Sequence, residues 1–246
     1  MQVAEHVQHV QRAGAELRSA GQLAGLDAPV PSCPHWTVAS LLRHTARVYH
    51  WCTLTLRQIE PRTVPFERPE DDAVVARYAA ALDQCLTALR TTPPSLVLPT
   101  MYPADSAVAF FARRMAHETA IHRVDAELAA GCGVSEFDAY FAADGVDELL
   151  IDMGRARFST DGLGRSFTVT LTPLDLNRAW TVNAGPSSYQ AEPVARDNSD
   201  LNLFGSCSDL YRWIWNRAGD DEVSLRGDLT VADIWRQRFT INARDR

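Results

Sequence analysis

The stretch Arg113-Arg-Met-Ala-His-Glu-Thr-Ala-Ile-His-Arg-Val-Asp125 lies inside a run free of proline and glycine from Ser106 to Ala130. It reads as one long helix, with Asp105 or Ser106 as N-cap and Gly131 as C-cap. Glu118 and His122 are four residues apart, so their side chains stack on one face, one turn apart. A carboxylate oxygen and an imidazole nitrogen so placed can reach one ion at ~2.0–2.2 Å. Arg114 and Asp125 lie on or near the same stripe. Such a stripe facing a bundle core is costly unless it is paired or metallated.

Working outward, the rest of the first half is also helical. Val3, Val7, Val10, Ala13, Leu17 and Leu23 recur at helical spacing over residues 2–24. Pro31-Ser-Cys-Pro34 breaks that helix, and Thr37 is a good N-cap for a second one running to about Ile59. Pro61, Pro65 and Pro69 make a rigid link. Residues 70–91, rich in Ala and Leu, form a third helix, and Pro93, Pro94, Pro99 and Pro103 an extended crossover to the fourth. Four long helices with extended links make a four-helix bundle over residues 1–135.

Beyond it the pattern changes. Residues 138–157 read as a further helix. Ser166–Thr172 alternates and is β-branched, as a strand does, and Ala179–Asn183 repeats that pattern. Residues 199–217 read as helix on Leu201, Leu203, Leu210, Trp213 and Ile214. Glu222–Leu225 reads as a last strand, Gly227-Asp228 as a turn, and 229–239 as a closing helix. The expected class is α+β: a helical bundle, then a small α+β domain over 145–246.

The 246 residues carry a formal net charge of −7, and all positive side chains are Arg. That balance argues against a nucleic-acid binder, which shows a basic face. No stretch approaches the ~18 apolar residues of a membrane span, and the polar N-terminus lacks a secretory apolar core. The five cysteines are odd in number and widely spaced, with no CxxC pair, as expected of free thiols in a reducing, cytoplasmic setting. A monomer is the default expectation.

All seven histidines lie at or before position 122, so a His-based site belongs to the bundle. His44 sits at helical spacing from Leu41, Val48 and Trp51 and should face inward. It is the natural third ligand beside Glu118 and His122. Three protein ligands leave a position open, the catalytic pattern for zinc. Each piece also has a plainer reading. A Glu-x-x-x-His pair is more often an ion-paired stripe, and a single inward His more often a packed core residue. His117 points about 100° away from Glu118 and reads as support or interface. His6, His9, His35 and His50 have no partner at useful spacing.

The segment Cys33-Pro-His-Trp-Thr-Val-Ala-Ser-Leu-Leu-Arg-His44 resembles the opening motif of the mycothiol-dependent maleylpyruvate isomerase family, within the DinB-like helical bundles. Arg114-Met-Ala-His-Glu-Thr-Ala-Ile-His-Arg-Val-Asp-Ala-Glu127 resembles that family's second motif. Asp144-Gly-Val-Asp-Glu-Leu-Leu150 resembles the lead into its C-terminal domain. The resemblance implies a zinc site on His44, Glu118 and His122, the trio that helix geometry also reaches. It implies a sterol-carrier-like α+β domain and an arginine there for the substrate carboxylate, with Arg217 the best match. Arg217 as a plain helix-end cation is the competing reading. His35 departs from the small residue usual before the Trp.

A thiol at such a metal is deprotonated near neutral pH. No cysteine of the chain sits in a convincing nucleophile setting, so the thiol is external, and the resemblance names mycothiol. A bound thiolate adding to an electrophile gives cis–trans isomerisation of a maleylpyruvate-like diacid if the thiol then leaves. If it stays, the outcome is S-conjugation by a mycothiol S-transferase. Arginines, Arg114 and Arg217 first, would hold anionic groups. Donors of this type suit Zn2+ and also Ni2+ or another late divalent ion. A non-catalytic metal-binding or regulatory protein is the reading from another class.

Overall fold

The computed structural model describes residues 1–239, which form two compact units, Met1–Ser135 and residues 136–239. The first unit contains α1 (Val3–Ala24), α2 (Val38–Leu56), α3 (Val74–Thr91) and α4 (Ala107–Ala130). Helix α1 packs chiefly on α4, and α2 on α3. The caps lie where the sequence places them. Thr37 Oγ1 accepts from Ser40 N, Ser106 Oγ accepts from Ala109 N, and Gly131 ends α4 in the left-handed region at φ 62°. Residues 70–73 differ from the expected helix: Asp71–Ala73 is a 3-10 turn that leads into α3.

Helix α4 is buried almost all round. Phe110, Phe111, Met115, Ile121 and Val124 share the interior with Arg114, His117, His122, Arg123, Asp125 and Glu127. Its charges are matched in pairs: Arg123 reaches Glu16 at 3.2 Å, and Glu127 at 3.6 Å. This is the arrangement that makes so many buried ionisable groups tolerable.

The second unit begins with α5 (Ala139–Val146), capped by Asp138, whose carboxylate accepts from Tyr140 N and Phe141 N. A π-helical stretch, Asp147–Met153, and a short α6 (Gly154–Arg157) follow, so the expected single helix over 138–157 is interrupted. Asp147 accepts from Trp180 Nε1 at 2.7 Å and from Arg178 at 2.9 Å, tying this stretch to the sheet.

Among the described residues the sheet has five strands, in the order β3-β2-β1-β4-β5. They are β1 (Phe167–Pro173), β2 (Trp180–Gly185), β3 (Ser188–Glu192), β4 (Leu201–Gly205) and β5 (Ser224–Gly227). Only the β1–β4 pair is parallel, with Val169 opposite Leu201. Helices α7 (Cys207–Ile214) and α8 (Thr230–Arg238) complete the unit. Trp180, Trp213, Trp235, Phe167 and Phe239 fill its core.

Two expectations are corrected here. The helix read over 199–217 is strand β4 followed by α7. Leu201 and Leu203 point into the core while Asn202 and Phe204 are half-buried, an alternation of period two. Ser206 then caps α7 by accepting from Asp209 N at 3.0 Å. The last strand lies at Ser224–Gly227 instead of Glu222–Leu225. Strand β3, which the sequence reading passed over, pairs with β2 across the two-residue link Pro186-Ser187. The end of the expected domain, residues 240–246, lies outside the described residues.

Candidate metal centre

Helices α2 and α4 bring His44, Glu118 and His122 together. His44 Nε2 is 3.1 Å from Glu118 Oε1, and His122 Nε2 is 3.3 Å from the same oxygen. The ligand-capable atoms of the three residues all lie within 4.8 Å of one another. Ligand atoms on adjacent corners of a zinc tetrahedron with ~2.0–2.2 Å bonds stand about 3.4 Å apart. The spacing and the chemistry of these donors therefore fit a divalent ion. The His44 and Glu118 side chains are partly exposed, at 11% and 20%, and His122 is buried.

Each of the three side chains has its own support. His122 is fixed from behind: its Nδ1 lies 2.8 Å from Asp125 Oδ2, and Ser32 Oγ donates to Asp125 Oδ1. Asp125 is fully buried, and a carboxylate behind a ligating imidazole sets its tautomer and orientation. Glu118 is steadied by Arg114, whose Nη2 lies 3.3 Å from Oε2. His44 is steadied differently. Its Nδ1 is buried without a hydrogen-bond partner, and its ring lies against Trp36 at 4.8 Å between centroids.

Electrostatics follow from these contacts. Burial opposes protonation of His122, but Asp125 and Glu118 outweigh it and push the imidazole up to about 9. Burial lowers His44 below its ordinary value, with help from the nearby His122 and Arg47 cations. Burial opposes ionisation of Glu118. Its hydrogen bonds to His122 and His44 nevertheless hold the carboxyl well below the usual range.

The other sequence-predicted residues are placed as follows. Arg114 is buried and engages Glu118. Arg217 follows α7 in the second unit, half-buried, with Nη1 donating to Trp215 O at 2.7 Å. His117 is fully buried, its ring 6.1 Å from that of His6. His50 does have a partner, Val64 O at 3.1 Å from its Nε2. Trp51, expected inward, is 39% exposed. All five cysteines are free thiols, and burial pushes Cys207 up to about 12. Cys33 Sγ lies 4.0 Å from Asp125 Oδ2. Among the described residues, no helix is long and apolar enough to cross a membrane.

The first unit is thus a helical bundle in which two helices bring two histidines and a glutamate to one point, a group that could hold a metal ion. Residues 7–127 match the family model described as the mycothiol maleylpyruvate isomerase N-terminal domain. The first unit of this chain belongs to that family. Two solved structures share the fold over 92% of this chain and 93% of their own length. Both are described as the mycothiol-dependent maleylpyruvate isomerase. One, a mutant, has 16% identity and a TM-score of 0.64, and the other 17% and 0.61. No curated protein matches the sequence.

Proposed function

We propose that the chain is a thiol-dependent enzyme whose first unit holds one divalent ion, zinc in the first instance, through His44, Glu118 and His122. Its reaction is cis–trans isomerisation of a maleylpyruvate-like electrophile, with mycothiol as the thiol. The observation that carries this reading is the convergence of three donors from two helices at ligand spacing, on a part-exposed site. The family match over residues 7–127 and the two similar solved structures support the choice of thiol and reaction.

A divalent ion in this set supplies Lewis acidity that keeps a thiol deprotonated near neutral pH. The chain's own residues do the positioning. Asp125 accepts from His122 Nδ1 and leaves Nε2 facing Glu118. Arg114 engages one oxygen of Glu118 and leaves the other to the histidines. Arg217 is the residue the resemblance offers for the substrate carboxylate. The thiolate sulfur forms a C–S bond to one alkene carbon, and the resulting C–C single bond rotates. Cleavage of the C–S bond then restores both alkene and thiolate.

S-conjugation, in which the thiol stays, is the second reading. It is suggested by a cleft of about 950 Å3 lined by α2 between Arg47 and Thr55, with room for a bulky electrophile. One experiment separates the two. Metal-loaded protein, mycothiol and maleylpyruvate are mixed, the diacid is followed by absorbance and the free thiol by titration. Conversion with thiol conserved supports isomerisation, and conversion with thiol consumed supports transfer. Unchanged diacid and thiol would refute the isomerase reading.

A further inference from the structure

We infer that the cleft along α2 receives the body of the electrophile, and that this body is apolar and carries an anionic group. Its role as a substrate site rests on the thiol-dependent reading above, whereas the binding of such an anion does not.

The cleft is built from α2, the strap that follows it, and the crossover near Leu98. Val48, Trp51 and Thr55 line it and follow His44 on one stripe of the helix, at i+4, i+7 and i+11. The cleft therefore starts one helical turn, about 5.4 Å, from the proposed metal ligand. The strap supplies Ile59, Val64 and Phe66. Ile59, Val64 and Trp51 are each about two-fifths exposed, three large apolar side chains turned to one space.

The walls are pinned. Trp51 packs edge-on against Phe111 of α4 at 5.1 Å. His50 Nε2 meets Val64 O at 3.1 Å and ties the strap to α2. Phe66 is covered by Arg77 at 5.0 Å, and Arg43 fastens the far end of the strap by donating to Pro69 O at 3.0 Å. Apolar walls with convergent polar groups, here Arg47, His50, Gln58 and Arg62, are the usual form of a small-molecule site.

The charged groups select the ligand. Arg47 and Arg62 line the cleft against one carboxylate, Glu60. Glu60 Oε1 already accepts from Arg62 N. Arginine beside aromatic walls suits a carboxylate on an apolar body. A diacid head alone would leave most of about 950 Å3 to water. An aryl or branched-alkyl extension would fill it.

The test uses metal-loaded protein and the fluorescent apolar anion 8-anilinonaphthalene-1-sulfonate, with 4-phenylbutyrate and maleate as competitors. Saturable binding, displaced by 4-phenylbutyrate at concentrations where maleate has no effect, is expected. Trp51→Ala and Arg47→Gln should each weaken probe and aryl acid about tenfold. Ile59→Glu, at an exposed position that folding does not need, should weaken them as much by placing a second carboxylate in the cleft. No saturable binding, equal displacement by maleate, or binding unchanged in folded Arg47→Gln and Ile59→Glu would overturn the inference. His44→Ala separates the two readings: loss of metal with probe binding kept supports both. Metal retained by that variant overturns the metal centre alone, and a probe that fails to bind overturns the cleft alone.

Discussion

Asp125 Oδ2 stands 2.8 Å from His122 Nδ1, and this contact turns the opposite ring nitrogen toward Glu118. Asp125 is fully buried and its other oxygen is held by Ser32, so the pair is fixed and not merely adjacent. Outer partners of this kind are worth about 10–100-fold in metal affinity. Asp125→Asn should lower zinc affinity by that factor, measured by competition with a chromophoric chelator. Ser32→Ala should produce a smaller loss in the same direction. Undiminished affinity in a folded Asp125→Asn protein would show that the contact does not orient the ligand.

Metal uptake should release a proton. In the metal-free protein His122 is pushed up to about 9, whereas His44 is lowered and Glu118 is held ionised. At pH 7.5 the entering ion therefore displaces about one proton, that of His122. Apparent affinity should rise about tenfold per pH unit up to about pH 9, then level off. Calorimetry in buffers of different ionisation enthalpy counts the proton directly. The same shift gives a stability trend in the metal-free state. Because the folded value lies above the unfolded one, the contribution is complete below about pH 6.5 and lost as pH rises through 9.

The bundle was legible because its signals are local. Thr37, Ser106 and Gly131 cap helices in the structure as their residue types suggest. The trio needed only an i, i+4 pair and one inward histidine. What stayed hidden depends on distant partners. The Ser32–Asp125 hydrogen bond spans 93 residues of sequence and leaves no periodic trace. Trp51 continues the stripe of His44, yet it faces the cleft, because the strap that folds back over α2 leaves that space unfilled. Strand β4 was lost because Leu201 and Leu203 run straight into an amphipathic helix. The separating signal was Ser206, whose side chain starts α7. Strand β3 is a short, largely polar edge strand, so hydrophobic patterning says little about it.

In the second unit, Gly227 is held where only glycine fits. Its φ is 116°, and a Cβ there would strike the backbone carbonyl of Asp200, which pairs this turn with β4. Since the obstacle is backbone, it cannot swing aside as a side chain would. Gly227→Ala should destabilise this unit by about 2 kcal/mol or more. Near-ultraviolet circular dichroism, to which the buried Trp180, Trp213, Trp215 and Trp235 of this unit contribute, reports the loss in a urea titration. A midpoint equal to that of the parent would show that the strand end relaxes freely.

His44→Ala should abolish stoichiometric metal while leaving the bundle folded. His44 Nδ1 makes no hydrogen bond, and the ring rests against Trp36 alongside His122. Truncation removes packing and the Nε2 contact to Glu118, which keeps Arg114 and His122, so the fold should lose only about 1 kcal/mol. Glu118→Gln should behave differently. It removes the charge that Arg114 and His122 both face, and each of those is buried. Metal should be lost in both variants. Only the glutamate variant should also show a drop in thermal midpoint, because the buried Arg114 and His122 each lose a carboxylate partner. Elemental analysis beside a thermal melt distinguishes the two. Metal content that survives His44→Ala would mean that the ion, if present, is held elsewhere.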